Sequence, residues 1–265
     1  KEIKVILKGK SCPGTNSTKE KILSVDYTDN TRQKKIESLL RLSHLSEKQK
    51  SAVLTIIEEY RDIFHLQGDR LTVTPILKLL IPTTDDVPVT TKPYRLPPVH
   101  REEIDRQVKE LLEDGIIEPS TSPWCSPCFL VPKPDDIKGN KRYRMVIDYR
   151  KVNDKTLPDQ FPLKNITEIL DQLNGSKYFS VFDLKSSYHQ IEIDEKHRYK
   201  TAFATNKGLF HFTRGSFGLK TMPATFSRAL SIALAGLIDS EVFCYLDDII
   251  VHSKTFEEHV QRLKH

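Results

Sequence analysis

The segment from Val242 to Ser253, VFCYLDDIIVHS, places two adjacent aspartates between apolar and β-branched residues. An isolated carboxylate is costly to bury unless it is paired, protonated or metal-bound, and two like charges oppose each other's ionisation. In one continuous strand, Asp247 and Asp248 would point to opposite faces. The segment therefore predicts a hairpin of VFCYL and IIVHS, with both aspartates at or beside the turn. A polar Asp-Asp turn without any chemistry is the simpler alternative, because aspartate is common in turns.

A third carboxylate, Asp183, ends the apolar and aromatic stretch YFSVFDL. Three carboxylates on two neighbouring strand ends suit two Mg²⁺ ions, with Mn²⁺ as an alternative, because magnesium takes oxygen ligands. Two such ions activate an attacking hydroxyl and stabilise the leaving oxygen of an in-line displacement. Asp183, Asp247 and Asp248 are thus candidate catalytic metal ligands.

The composition limits the class of protein. The chain has 265 residues, 38% of them hydrophobic and 29% charged, which is typical of a globular protein with one or two domains. No apolar run is long enough to span a bilayer, and no signal peptide is visible. Four cysteines indicate a reducing compartment. The chain starts with lysine and ends within an expected helix, so we expect a piece of a longer polypeptide.

A basic cluster is more informative than the net charge of +5. The stretch from Lys133 to Lys151 holds seven basic and three acidic residues. It is either a solvated loop or an electrostatic footprint for phosphates.

The order of expected elements indicates an α+β fold. Residues 1–45 resemble a linker, and Ser46 and Gln49 have the spacing of a capping box before a helix that runs to about residue 65. REEIDRQVKELLEDG has helical periodicity. Short strands follow from about residue 116, with NKG as a hairpin turn, and then PATFSRALSIALAGLI and TFEEHVQRLKH as helices. Regular βαβ alternation is missing, which favours α+β.

Four blocks occur in a characteristic order: RMVIDYRKVN, FSVFDLKSSYHQI, FGLKTMPATFSRAL and YLDD, after SPWCSPCFLVPKP. Together they resemble the reverse transcriptase of gypsy-like long-terminal-repeat retrotransposons over about residues 75–265. The resemblance implies a right-hand polymerase with fingers and palm, an antiparallel palm sheet packed on helices, and no thumb.

The resemblance also divides the chain into segments. Residues 1–74 are expected to be an N-terminal extension with one helix at about 46–65. The fingers are expected at 75–157 and 191–221, and the palm at 158–190 and 222–265.

The resemblance implies roles for individual residues. Asp183, Asp247 and Asp248 match the metal-binding triad. Arg144 matches the fingers arginine on the incoming triphosphate, which suits an arginine fork. Lys133 matches the fingers lysine on the γ-phosphate, with Lys138 or Lys141 as substitutes.

Further nucleotide-binding residues follow in the same way. Tyr188 matches the aromatic gate under the incoming sugar, and a packing tyrosine is its alternative. Phe217 and Gly218 match the pair that lines the nucleotide site. The family commonly reads MPFGLKNAP where this chain reads GSFGLKTMP, so Gly215 and Ser216 replace a Met-Pro.

Other polar and aromatic residues are expected to be structural. The pair Cys125 and Cys128 has no second pair at zinc spacing and is expected to be buried. Trp124 either stacks on template or packs. The histidines are expected at the surface or at strand ends: His189, His252 and His259.

The resemblance implies an RNA- and DNA-templated DNA polymerase that uses Mg²⁺, deoxynucleoside triphosphates and a template-primer of RNA or DNA. Protease, ribonuclease H and integrase domains of the same polyprotein are expected outside this stretch. The expected location is cytoplasmic, without a membrane, in virus-like particles or with access to the nucleus. A catalytically incomplete nucleic-acid-binding or assembly module and a two-metal nuclease are the alternatives.

Overall fold

A computed structural model of the chain describes residues 4–5, 29–135, 139, 141–162 and 164–265. In this described part of the chain, helices and strands are interspersed and the strands form three sheets, which confirms the predicted α+β class. The helices are α1 (Asp29–Glu37), α2 (Glu47–Glu59), α3 (Pro98–Glu113), α4 (Arg150–Lys155), α5 (Ile166–Gln172), α6 (Glu195–Arg198), α7 (Met222–Ala233) and α8 (Phe256–Arg262). The strands are β1 (Lys4–Val5), β2 (Thr74–Leu79), β3 (Ile117–Pro119), β4 (Ser126–Lys133), β5 (Arg142–Ile147), β6 (Tyr178–Leu184), β7 (Ile191–Ile193), β8 (Phe203–Thr205), β9 (Gly208–Phe212), β10 (Val242–Tyr245) and β11 (Asp248–Ser253).

The chain divides into two compact units. The first unit comprises Lys1–Thr72, Leu163–Lys185 and Leu230–His265, and the second comprises Val73–Pro162 and Ser186–Ala229. The predicted bounds of the fingers and palm segments are not tested by this division and stay predictions.

The first unit contains a sheet in the order β1-β6-β11-β10. Strands β6, β11 and β10 are antiparallel, and β1 joins the edge of β6 in parallel. Strands β10 and β11 form the predicted hairpin, with Tyr245 paired to Asp248 across a two-residue turn. Helix α8 packs against β11 and β6. The apolar strands therefore bring the hairpin and the end of β6 into one sheet.

Helix α1 was not predicted from the sequence. Its segment DNTRQKKIE carries mostly polar residues, and propensity alone is a weak signal there. In the fold, Ile36 is 1% exposed and packs with Ile57 and Phe64. Arg32 donates hydrogen bonds to both carboxylate oxygens of Asp69, at 3.0 and 2.8 Å. Tertiary contacts thus account for this helix. Helix α2, in contrast, has the predicted capping box of Ser46 and Gln49.

The second unit contains a five-stranded sheet in the order β3-β9-β8-β4-β5 and a parallel pair of β2 and β7. Helix α3 packs against β3, β4 and β5 through a face that includes Ile104 and Val108, both buried. Gly115 has a φ of +63° just beyond the helix, as expected for a glycine that ends it. Strands β8 and β9 form the hairpin predicted at NKG.

The histidines were expected at the surface or at strand ends, and that prediction is wrong for His259. His252 and His259 are both buried, with exposed fractions of 8% and 4%. His252 lies one residue before the end of β11, as expected for a strand-end residue, whereas His259 lies within α8. Each makes a hydrogen bond with a serine hydroxyl through one ring nitrogen, His252 with Ser176 and His259 with Ser180, which offsets part of the cost of burial. His189 is half-buried. Trp124 is 1% exposed and packs against Tyr199, so its role is packing. Cys128 is buried as predicted, and Cys125 is half-buried.

No helix in the described part of the chain is long and apolar enough to cross a membrane.

Candidate active site

Two of the three candidate metal ligands are direct partners across antiparallel strands. Asp183 near the end of β6 pairs with Asp248 at the start of β11. Residues directly opposite in an antiparallel pair share a face, with Cβ atoms about 4.5–5.5 Å apart. The sheet register therefore places both carboxylates on one face of the first unit.

The third carboxylate lies in the hairpin turn. The turn residues are Leu246 and Asp247, and Leu246 has a φ of 54° in the left-handed region. Two-residue hairpins favour positive φ, but glycine or asparagine normally supplies it. A leucine there stores about 1–3 kcal/mol of strain, as is common at functional sites. The Asp247 carbonyl accepts a hydrogen bond from the Leu184 amide at 3.2 Å, which ties the turn to the end of β6.

The three carboxylates do not carry the full cost of burying a charge. Asp248 is exposed, and Asp183 and Asp247 are half-buried, so none is placed in an apolar core. The donor set is three carboxylates, whose hard oxygen atoms are the ligands that Mg²⁺ prefers. Among the described residues, no three acidic, histidine or cysteine side chains converge into a finished metal cluster. The backbone thus brings suitable ligands to neighbouring positions, and the donor chemistry fits magnesium.

The second unit brings together the aromatic candidates. Tyr188 lies in a 3₁₀ turn (Ser187–Gln190) that follows Ser186 at a φ of 46°. The Tyr188 ring centroid is 4.7 Å from that of Phe217 and 5.6 Å from that of Phe226. Phe217 remains 40% exposed. Tyr188 and Phe217 therefore form a half-open aromatic surface that can contact a sugar or base.

Arg144 belongs to the same region of the second unit. Its guanidinium carbon lies 5.7 Å from the Phe217 ring centroid, within the range of a cation–π contact. Arg144 on β5 pairs with Val131 on β4, and Lys133 lies two residues after Val131 on β4. Because side chains alternate along a strand, Lys133 and Arg144 share one face of the sheet. Both are exposed. Lys141 is exposed just before β5, and Lys138 lies outside the described residues.

Gly218 has a backbone that requires glycine. Its φ is +91°, a conformation that L side chains rarely adopt. A Cβ atom would lie 3.5 Å from the Ile147 carbonyl oxygen and 3.5 Å from the Tyr149 ring. Backbone conformation therefore explains glycine at this position better than lack of space does.

Asn153 is a residue whose role the sequence reasoning missed. Its side-chain amide donates to the Gly218 carbonyl at 2.7 Å and accepts from the Lys220 amide at 2.9 Å. These two bonds hold residues 218–220, which directly follow Phe217. Asn153 falls within the block RMVIDYRKVN, which is the only signal that the sequence offers for it.

A second network surrounds Asp148 in the second unit. Arg150 donates to both Asp148 oxygens, at 2.9 and 2.7 Å, and the Tyr94 hydroxyl donates at 2.7 Å. The Arg150 guanidinium, with help from Tyr94, holds the pKa of Asp148 well below its usual range. The carboxylate therefore stays ionised and holds the exposed Arg150 in one orientation.

Comparisons with known proteins identify the family of this chain. A family model described as reverse transcriptase (RNA-dependent DNA polymerase) matches residues 131–265. The chain is 38% identical over 242 residues to the retrovirus-related Pol polyprotein from transposon 297 of Drosophila melanogaster, covering 91% of this chain and 23% of that protein. It is 46% identical over 221 residues to the corresponding polyprotein from transposon 412 of the same species, covering 83% of this chain and 18% of that protein. The chain thus spans about a fifth of the length of these relatives.

A solved structure shares the fold. The crystal structure of the prototype foamy virus protease-reverse transcriptase superposes with a TM-score of 0.76 at 28% identity. The match covers 92% of this chain and 31% of the viral one. These comparisons confirm the resemblance that the four sequence blocks indicated.

Proposed function

We propose that this chain, a member of the reverse transcriptase (RNA-dependent DNA polymerase) family, carries the nucleotidyl-transfer chemistry of a retrotransposon Pol polyprotein. The observation that carries the proposal is the pairing of Asp183 with Asp248, with Asp247 in the adjoining turn. A turn with no chemistry gives no reason for a third aspartate opposite the pair.

The proposed reaction forms one bond and breaks another. The oxygen of a primer 3′-hydroxyl attacks the α-phosphorus of a deoxynucleoside triphosphate and loses its proton. The bond from the α-phosphorus to the bridging oxygen breaks, and pyrophosphate leaves. Asp183, Asp247 and Asp248 would hold two Mg²⁺ ions. When bound, these ions supply charge neutralisation at the attacking and leaving oxygens.

The side chains of the second unit are proposed to bind the nucleotide. The forked guanidinium of Arg144 and the ammonium of Lys133 match the charge of a triphosphate, and an arginine fork suits phosphate oxygens best. The Tyr188 ring is proposed to lie under the sugar, with Phe217 beside it. Gly218 is proposed to let the backbone approach the nucleotide, because it carries no side chain.

The partners follow from the proposed reaction. A template-primer of RNA or DNA and deoxynucleoside triphosphates are the proposed substrates. Protease, ribonuclease H and integrase domains are proposed as further parts of the polyprotein. A cytoplasmic site of action, in virus-like particles or with access to the nucleus, stays a prediction.

Primer extension tests the proposal. The chain is incubated with a labelled DNA primer on an RNA template, deoxynucleotides and Mg²⁺, beside an Asp248→Asn variant. We expect Mg²⁺-dependent extension by the parent and none by the variant. Binding without extension under all conditions would support the non-catalytic module instead. Degradation of the strands without nucleotides would support the two-metal nuclease.

A further inference from the structure

Gly215 is a glycine for reasons of space. Unlike Gly218, it does not lie at positive φ, so its backbone conformation is open to any residue. A Cβ atom at position 215 would nevertheless lie 2.6 Å from the Tyr188 carbonyl oxygen and closer still to the Met222 sulfur. Real Cβ contacts essentially never fall below 3.0 Å, so any side chain here would displace its neighbours.

The Gly215 backbone is bonded on both sides to the segment that carries Tyr188. Its amide donates to the Ile191 carbonyl at 2.7 Å. Its carbonyl accepts from His189 Nδ1 at 2.8 Å. Gly215 is therefore held against the turn of residues 187–190, and this close approach is what leaves no room for a side chain.

Met222 occupies the space beside Gly215. It is 0% exposed, at the start of α7. Residues four apart on a helix share a face, so Met222 and Phe226 project to the same side of α7. Phe226 is 1% exposed and its ring lies 5.6 Å from that of Tyr188. The first turns of α7 thus support Tyr188 at two points, through its ring and through the backbone beside Gly215.

Positions 215 and 222 carry a small and a large residue in the reverse order from the family pattern MPFGLKNAP. Where that pattern reads methionine and alanine, this chain has glycine at 215 and methionine at 222. Because a Cβ at 215 would meet the Met222 sulfur, the two side chains compete for one volume. In this chain the Met222 side chain, at the start of α7, fills that volume.

We propose that Met222, packed on Gly215, is a positioning residue that fixes Tyr188 and thereby sets the discrimination between deoxyribose and ribose. The inference rests on the proposed function, since it assigns Tyr188 to the sugar. Met222 itself is not expected to contact substrate. Its effect is transmitted through the Gly215 backbone and the turn of residues 187–190.

The test compares Met222→Ala, Met222→Leu and Tyr188→Ala with the parent chain. Single-nucleotide extension is measured with matched deoxy- and ribonucleotides, and the ratio of kcat/KM values is the readout. Met222→Ala is expected to lower the deoxy-to-ribo ratio by about tenfold, because small displacements of a positioned group have large kinetic effects. Met222→Leu conserves volume and is expected to keep the parent's ratio.

Thermal unfolding of Gly215→Ala, Met222→Ala and the double variant provides a readout independent of activity. The drop in melting temperature caused by Gly215→Ala is expected to be several degrees smaller when Met222 is already alanine. The added Cβ then no longer meets the Met222 sulfur, one of its two close contacts. The contact with the Tyr188 carbonyl remains, so the relief is partial.

The outcomes separate the two proposals. If Tyr188→Ala lowers the ratio and a folded Met222→Ala keeps it, the positioning inference is overturned and Tyr188 stays the gate. If Tyr188→Ala leaves the ratio unchanged, the assignment of Tyr188 to the sugar fails, and the inference fails with it. If the decreases in melting temperature of the two single variants simply add in the double variant, the inference that side chains at 215 and 222 compete for one volume is overturned.

Discussion

Asp183 and Asp248 are direct partners across the antiparallel strands β6 and β11, so their carboxylates leave the same face of the sheet. The turn of residues 246–247 adds Asp247 beside them, and its carbonyl is bonded to the Leu184 amide. Like charges at paired positions destabilise a sheet. A function that needs them together explains why three aspartates are gathered here.

Asp247→Asn is expected to abolish primer extension and to leave the fold intact. The change removes a charge that would neutralise metal but almost no volume. A loss of about 4 kcal/mol of transition-state stabilisation corresponds to about a thousandfold in rate. Asp171→Asn, at an exposed position on α5, is the matched control and should extend like the parent. Normal extension by Asp247→Asn would contradict the metal assignment.

Magnesium is expected to stabilise the folded chain if it binds the three aspartates. At a concentration ten times the Kd, binding adds about 1.4 kcal/mol to the free energy of unfolding. The melting temperature should therefore rise with MgCl₂ in the parent and much less in Asp183→Asn. Potassium chloride at matched ionic strength separates specific binding from screening. Equal shifts in the parent and the variant would argue against a site at Asp183.

Much of the fold follows from periodicity in the sequence. The helical spacing of Ile104 and Val108 in the sequence predicts the buried face of α3. Two apolar runs around an acidic pair predict the hairpin of β10 and β11. The clustering of Asp183, Asp247 and Asp248 was predictable because each of them lies at the end of an apolar strand or in the turn beside it. In each case the signal lies within one short segment.

Contacts between distant segments were not predictable in this way. Asn153 is bonded to Gly218, 65 residues away, and no local pattern encodes such a pair. Helix α1 depends on Ile36 packing with residues of another segment. The burial of His259 depends on a serine 79 residues earlier. Such contacts arise from the tertiary arrangement, which overrides local polarity and propensity.

Asn153→Ala is expected to weaken nucleotide binding and to destabilise the second unit. It removes one hydrogen bond from the Gly218 carbonyl and one from the Lys220 amide. Both residues are exposed, so water replaces the lost partners and each bond contributes about 0.5–1.5 kcal/mol. The KM for deoxynucleotides should rise more than kcat falls, because the loop with Phe217 loses its anchor. Asp154→Ala, exposed on the same helix, is the control. Unchanged KM and stability in Asn153→Ala would show that the two bonds are dispensable.

Acidification is expected to destabilise the first unit through His252 and His259. Burial, and then the nearby charge of Arg262, lowers the pKa of both histidines below the ordinary value. The unfolded chain therefore binds more protons than the folded chain as the pH falls below about 6.5, so the free energy of unfolding decreases there. The slope is about 1.4 kcal/mol per pH unit for each extra proton taken up.

Denaturant unfolding at pH 7 and pH 5.5 measures this effect. The variant His259→Gln should show a smaller loss between the two pH values than the parent. His44→Gln, at an exposed position, should behave like the parent. The same pH dependence in His259→Gln and the parent would assign the acid sensitivity to other groups.

Tyr188 is expected to discriminate deoxyribose from ribose through its ring. The ring lies 4.7 Å from Phe217 and 5.6 Å from Phe226, so it is held on two sides and cannot easily turn away. If it lies flat beneath the sugar, a 2′-hydroxyl would collide with it. That penalty acts on ribonucleotides alone, because the 2′-hydroxyl is the only difference between the substrates. Tyr188→Ala should therefore raise ribonucleotide incorporation far more than it changes deoxynucleotide incorporation.

The size of the effect and its control follow from the same geometry. A loss of selectivity of roughly 3 kcal/mol corresponds to about a hundredfold change in the ratio of kcat/KM values. Tyr188→Phe should retain most of the selectivity, because the ring and not the hydroxyl makes the contact. Both variants are measured by single-nucleotide extension on one primer-template. If Tyr188→Ala keeps the parent's ratio, Tyr188 is a packing residue between Phe217 and Phe226, and another side chain selects the sugar.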